Sequence, residues 1–152
     1  MKVVSLTERP DLVDLVAGWG FGEWGHLRPG DTLEQRAARV RTGMNADRVP
    51  AVFVALADDG RPLGSAALVF DDLEGDPRNP WLASVFVPPE HRRRGVASVL
   101  VAAVEDAARR FGYSRLFLFT ASAPELYARL GWRSLERRHY RGEHVQVMDK
   151  PL

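Results

Sequence analysis

Three consecutive arginines and a glycine, Arg92-Arg93-Arg94-Gly95, stand directly before Val96-Ala97-Ser98 and a long amphipathic run. A helix N-terminus presents unpaired backbone N–H groups and a partial positive charge, so it attracts phosphate. Gly95 lets the backbone approach an anion closely, Ala97 and Ser98 leave room for it, and the arginines can add charge-assisted hydrogen bonds. Three arginines alone could equally solvate a helix start. What points to a pyrophosphate is the context: an apolar strand, Pro88-Pro89, the basic turn, a helix, then a second strand.

Competing chemistries are poorly supported. Gly20-Phe21-Gly22-Glu23-Trp24-Gly25 matches the dinucleotide fingerprint GxGxxG in letters. That fingerprint requires a strand before it and a helix directly after it, whereas a helical pattern precedes it here and Pro29-Gly30 follows closely. No Gly-Lys-Ser/Thr occurs, so a P-loop is missing, and the absence of cysteine excludes disulfides and a cysteine nucleophile. His26, His91, His139 and His144 show no ligand spacing on a common face, and no metal is expected.

The chain of 152 residues is 45% hydrophobic and carries a net charge of +1, which fits one domain over 1–152 with a substantial core and disfavours a dedicated nucleic-acid binder. No signal peptide or membrane-length apolar run is visible, so the expectation is a cytoplasmic protein that does not engage a membrane, as a monomer or homodimer. The pattern predicts a strand over 2–6, a helix over 7–17, an irregular segment over 18–30, and a second helix opened by Asp31-Thr32-Leu33-Glu34 and running to about Gly43. Strands follow over 49–57, 62–70 and 81–87, then a helix over 95–111 with Val96, Val99, Leu100, Ala103, Val104, Ala107 and Phe111 on its apolar face and Glu105 facing water. A parallel strand over 114–120, a short helix over 124–130 and a hairpin over 132–140 and 143–150 complete an α/β mixed sheet, β-α-α-β-β-β-α-β-α-β-β, with helices on both faces.

The run Val87-Pro88-Pro89-Glu90-His91-Arg92-Arg93-Arg94-Gly95-Val96-Ala97 resembles the acetyl-CoA motif of the GNAT N-acetyltransferase superfamily, Gln/Arg-x-x-Gly-x-Gly/Ala. Leu126-Tyr127-Ala128-Arg129-Leu130-Gly131-Trp132 resembles that family's second motif, and the element order agrees over nearly the whole chain. The resemblance implies a sheet splayed between its fourth and fifth strands, with pantetheine of acetyl-CoA against the main chain of Val85, Phe86 and Val87. It implies that the pyrophosphate lies on the amides of Arg93 to Ser98, with Arg92 to Arg94 auxiliary. Arg93 departs from the pattern, since many members carry glycine there. The resemblance gives Tyr127 the role of acid toward the departing thiolate, while a backbone N–H on the Val85–Val87 edge polarises the carbonyl. No carboxylate stands on strand 81–87, whose one polar side chain is Ser84. Glu23, His26, Asp71 and Asp72 are therefore the candidates for a base or an acidic acceptor mouth. The implied activity is direct acetyl transfer to a primary amine, of a small molecule or a peptide. A CoA-binding sensor without turnover and a nucleic-acid binder using Arg92–Arg94 are the competing readings.

Overall fold

The computed structural model describes residues 1–152. Seven strands form one sheet: β1 (Lys2–Ser5), β2 (Ala51–Leu56), β3 (Pro62–Val69), β4 (Trp81–Phe86), β5 (Arg115–Thr120), β6 (Arg133–Tyr140) and β7 (Glu143–Pro151), ordered β1-β2-β3-β4-β5-β7-β6. Every neighbouring pair is antiparallel except β4 and β5. The helices are α1 (Val13–Trp24), α2 (Leu33–Thr42), α3 (Val96–Arg110) and α4 (Pro124–Arg129).

β2 is buried along its whole length, and its alternation explains why. Ala51, Phe53 and Ala55 pack with Val96, Leu100, Val101 and Val104 of α3 on one face, while Val52, Val54 and Leu56 pack with Leu12, Val13 and Val16 on the other. A strand covered on both faces reads as a continuous apolar run rather than an alternating one.

Two differences from the sequence pattern matter for function. The glycine-rich stretch 18–24, expected to be irregular, continues helix α1 to Trp24, after short 3₁₀ turns over Leu6–Glu8 and Pro10–Leu12. Glycine disfavours a helix interior by about 1 kcal/mol per residue, but burial of Val13 and Val16 against β2 outweighs that cost. Helix α3 is also rotated from its expected face: Val99 is exposed, whereas Val101, Ala108 and Glu105 are buried. Glu105 is tolerated inside because its carboxylate is fully occupied, accepting from Lys150 Nζ at 2.8 Å and from Trp132 Nε1 at 3.3 Å. A smaller difference concerns α2, whose capping box joins Thr32 to Gln35.

Candidate active site

The sheet opens where β4 meets β5. The two strands pair in parallel only at Trp81 and Phe117, where Phe117 N–H also donates to Pro80 O at 3.1 Å. Beyond that point they diverge. A bulge helps to turn β4 away: Ala67 of β3 faces Ala83 and Ser65 faces Phe86, so three steps along β4 match two along β3. The extra residue falls at Ser84, whose φ of 54° lies in the left-handed region that a non-glycine residue enters at a cost of about 1–2 kcal/mol. The main-chain groups of Val85 and Phe86 on the β5 side are thus left without a strand partner. Val87 lies just past the end of β4, since Pro88 and Pro89 cannot continue a ladder, and its side chain packs in the core.

A cavity of about 550 Å³ occupies this fork. One wall is Val85, Phe86 and Ser84 from β4; the opposite wall is Phe119 and Thr120 from β5 with Ala121 to Ala123. Tyr127 of α4 also reaches it. The sequence reading set Leu126 and Leu130 toward the core and Tyr127 to one side; in the fold Tyr127 is the buried member of the three. Its ring packs edge-on to Trp132 at 6.2 Å, and burial pushes the phenol up to about 12. The Tyr127 hydroxyl has no hydrogen bond within the protein and is not sealed from the cavity. The rear of α4 is pinned, since Lys150 Nζ bridges Glu105 and the Leu130 carbonyl, both at 2.8 Å.

All four acceptor-side candidates line the same cavity, brought there by three separate segments: Glu23 from α1, His26 from the 3₁₀ turn Gly25–Leu27, and Asp71 and Asp72 from the loop after β3. Glu23, His26 and Asp71 are exposed, whereas Asp72 is half-buried. Desolvation pushes the Asp72 carboxyl up to about 7, against the opposing pull of Arg28 and Arg36. The expected acidic mouth is only part of the picture, because Arg28, Arg36, Arg39 and Arg141 line the cavity too. These arginines sit at sequence positions with no motif around them, so no local signal marks them.

The segment from Val87 to Gly95, with a short 3₁₀ turn over Pro89–His91, connects β4 to α3. Gly95, at φ +79°, is the N-cap of α3, and a Cβ placed there would meet nothing within 4 Å. Arg93, at φ 64°, is likewise left-handed, which accounts for the glycine that the motif favours at its position. Arg92, Arg93 and Arg94 are all exposed; Arg92 folds back, with Nε donating to the Val87 carbonyl at 2.8 Å and its guanidinium 6.0 Å from the Phe86 ring. Val96 is buried as the first core residue of α3; Ala97 and Ser98 stay half-exposed beside the turn. An open, positively flanked turn at a helix N-terminus and a strand edge without a partner fit the pyrophosphate and pantetheine parts of coenzyme A.

Residues 11–132 match the Acetyltransferase (GNAT) family. The chain belongs to that family. As a GNAT acetyltransferase it is an enzyme with the mixed sheet just described. Among solved structures it is similar to aminoglycoside 6′-acetyltransferase type Ii, at 18% identity and a TM-score of 0.73, over 99% of this chain and 97% of that one. An aminoglycoside 6′-N-acetyltransferase complexed with coenzyme A superposes with a TM-score of 0.72 at 16% identity, over 99% and 97% of the two chains. Rv2747 from Mycobacterium tuberculosis, in complex with CoA, does so at 0.69 and 18% identity, over 93% and 95%. At these identities the likeness is one of fold. No curated protein matches the sequence. No helix is long and apolar enough to cross a membrane.

Proposed function

We propose that this acetyltransferase moves an acetyl group from acetyl-CoA to the primary amine of a small molecule or peptide, by direct transfer with both bound in the fork. The observation that carries this reading is the meeting of Tyr127 and Asp72 on one cavity at the β4–β5 opening. Acetyl-CoA supplies the activated acetyl thioester. The chain's own part is to hold it, polarise it and move protons around it.

The amides from Arg93 to Ser98 bind the pyrophosphate, with Arg93 and Arg94 as auxiliary cations and Arg92 bracing the turn. The unpartnered main chain of Val85 and Phe86 takes the pantetheine arm, and an N–H of that edge faces the thioester oxygen. Val87 supports this edge from the core. Tyr127 keeps its proton on the phenol oxygen at neutral pH and donates it to the leaving sulfur. The raised phenol keeps that proton on Tyr127 until a thiolate forms beside it.

Asp72 accepts the proton that the acceptor must lose. An ordinary alkylammonium near 10.4 yields its proton to a carboxylate at 3.8 at a cost of about 9 kcal/mol, but to Asp72 at about 7 for only about 5 kcal/mol. Glu23 and His26, exposed at the rim, serve the entry of the amine rather than the proton transfer. Replacing Tyr127 with Phe tests the assignment: turnover falls about a hundredfold or more with acetyl-CoA affinity by calorimetry almost unchanged. Unaltered turnover would remove Tyr127 from the mechanism.

A further inference from the structure

We propose that the acceptor amine carries a carboxylate, and that Arg36, with Arg28 beside it, seats that carboxylate in the cavity. The proposal rests on the acetyltransferase reading and names the class of amine it acts on.

The charges of the cavity are not equally engaged. Arg39 forms a two-pronged ion pair with Asp31, and Arg141 pairs with Glu74 at 2.9 Å while donating to the Leu27 carbonyl at 3.2 Å. Arg36 and Arg28 have no such partner. The Arg36 guanidinium is half-buried, and its polar contact is a long one, 3.5 Å to Ser84 Oγ. Its plane rests near Trp24, 5.5 Å from the ring centroid, and against the backbone of Gly20, where a Cβ would come within 2.6 Å of Nη2. A desolvated guanidinium without a counter-ion is costly, and burial accordingly lowers its proton affinity. The group is nevertheless held in place by a helix backbone, an aromatic ring and the β4 bulge. A preformed fork of donors of this kind matches the two oxygens of a carboxylate.

Asp72 does not fill that place. It feels both arginines without forming an ion pair with either, and burial raises its carboxyl to about 7, which weakens it as a counter-ion. Of the other carboxylates that line the cavity, Glu23 and Asp71 are exposed and Glu143 is half-buried. Beside the half-buried, unpaired guanidinium of Arg36, with exposed Arg28 near it, a further ammonium group of the acceptor meets like charge and a carboxylate meets its complement. The apolar surface of Trp24, Phe86 and Tyr140 leaves room for a side chain between the two.

The test compares amino acids with their amides, together with spermidine and kanamycin as polycations, by release of CoA from acetyl-CoA. The same ligands are titrated calorimetrically into the protein saturated with coenzyme A, which needs no turnover. The expected result is at least a tenfold preference for the best amino acid over its amide, lost in Arg36→Met and partly restored in Arg36→Lys. Equal affinity for acid and amide, or a preference for the polycations, overturns the carboxylate seat and leaves acetyl transfer standing. If no amine releases CoA although amino acids bind in preference to their amides, the seat stands and the acetyltransferase reading falls.

Discussion

Replacing Gly20 with alanine separates what is good for the fold from what is good for the site. Gly20 is a buried position in the interior of α1, where alanine is favoured over glycine by about 1 kcal/mol. For a chain of this length that corresponds to a rise in melting temperature of about 3 °C. The new Cβ, however, would stand 2.6 Å from Arg36 Nη2 and 2.9 Å from its Cζ and Nε. Ordinary contact requires the guanidinium to move away by about 1 Å. The head of a flexible side chain can do so, so the fold survives. The contacts given up, a long hydrogen bond to Ser84 and a partly exposed cation–π contact, are worth about 1 kcal/mol together. Net stability should therefore change little or rise slightly. The acceptor should lose far more: hydrogen bonds to a charged group are worth about 1.5–3 kcal/mol, and a shift of 1 Å breaks them, raising KM for a carboxylate-bearing amine about tenfold to a hundredfold. Gly18→Ala and Gly22→Ala are the controls, because a Cβ at either meets nothing within 4 Å in the same helix. They should stabilise without changing KM. The assays are thermal unfolding and steady-state kinetics against both substrates. If Gly20→Ala behaves like its two neighbours in KM, Arg36 is not held where the reasoning requires.

Gly95→Val puts a β-branched residue at φ +79°; it should cost about 1–2 kcal/mol in stability, visible as a melting temperature lower by several degrees, and remove measurable acetyl-CoA binding by calorimetry. Glu105→Gln leaves Lys150 without its counter-charge beside Trp132, and chemical denaturation should register a loss of about 2 kcal/mol, with turnover falling as α4 loosens behind Tyr127. Asp72→Asn should flatten the rise of kcat/KM with pH that otherwise has its midpoint near 7. The same variant should be more stable than the parent above pH 7, with the gap closing toward pH 4. The sign follows from the raised pKa: the folded chain holds a proton on Asp72 that the unfolded chain releases near 3.8, so stability present at low pH is lost as pH climbs through 7.

The turn between β4 and α3 was legible because its signals are local: Pro88-Pro89 ends a strand, Gly95 caps a helix, and the apolar period of 3.6 begins at Val96. The order of elements was legible for the same reason. The course of α1 through Gly18, Gly20 and Gly22 was not, since glycine propensity is a local quantity and the packing of Val13 and Val16 on β2 is not. Glu105 was misread by the same rule, its charge being matched by Lys150 from 45 positions away. Nothing near Arg36 in sequence marks it either. Its neighbours Gly20, Trp24 and Ser84 come from a different helix and from the β4 bulge, and meet it only when the α1–α2 pair closes over the fork.

That closure ties the two ends of the chemistry together. Asp72 can act as a base near neutrality only while its carboxyl is both desolvated and not fully neutralised by a bound cation. If Arg36 and Arg28 reached it as ordinary ion-pair partners, its pKa would fall toward that of Asp31 or Asp76, both lowered by their arginines. The separation that leaves Arg36 without a counter-ion is thus the same separation that leaves Asp72 able to take a proton. An arriving carboxylate engages Arg36 and reduces its pull on Asp72, which raises the affinity of Asp72 for the proton of the amine beside it. Binding of the acceptor's acid end would then prepare the base for its amine end. An amine lacking that acid would meet Asp72 in its less basic state.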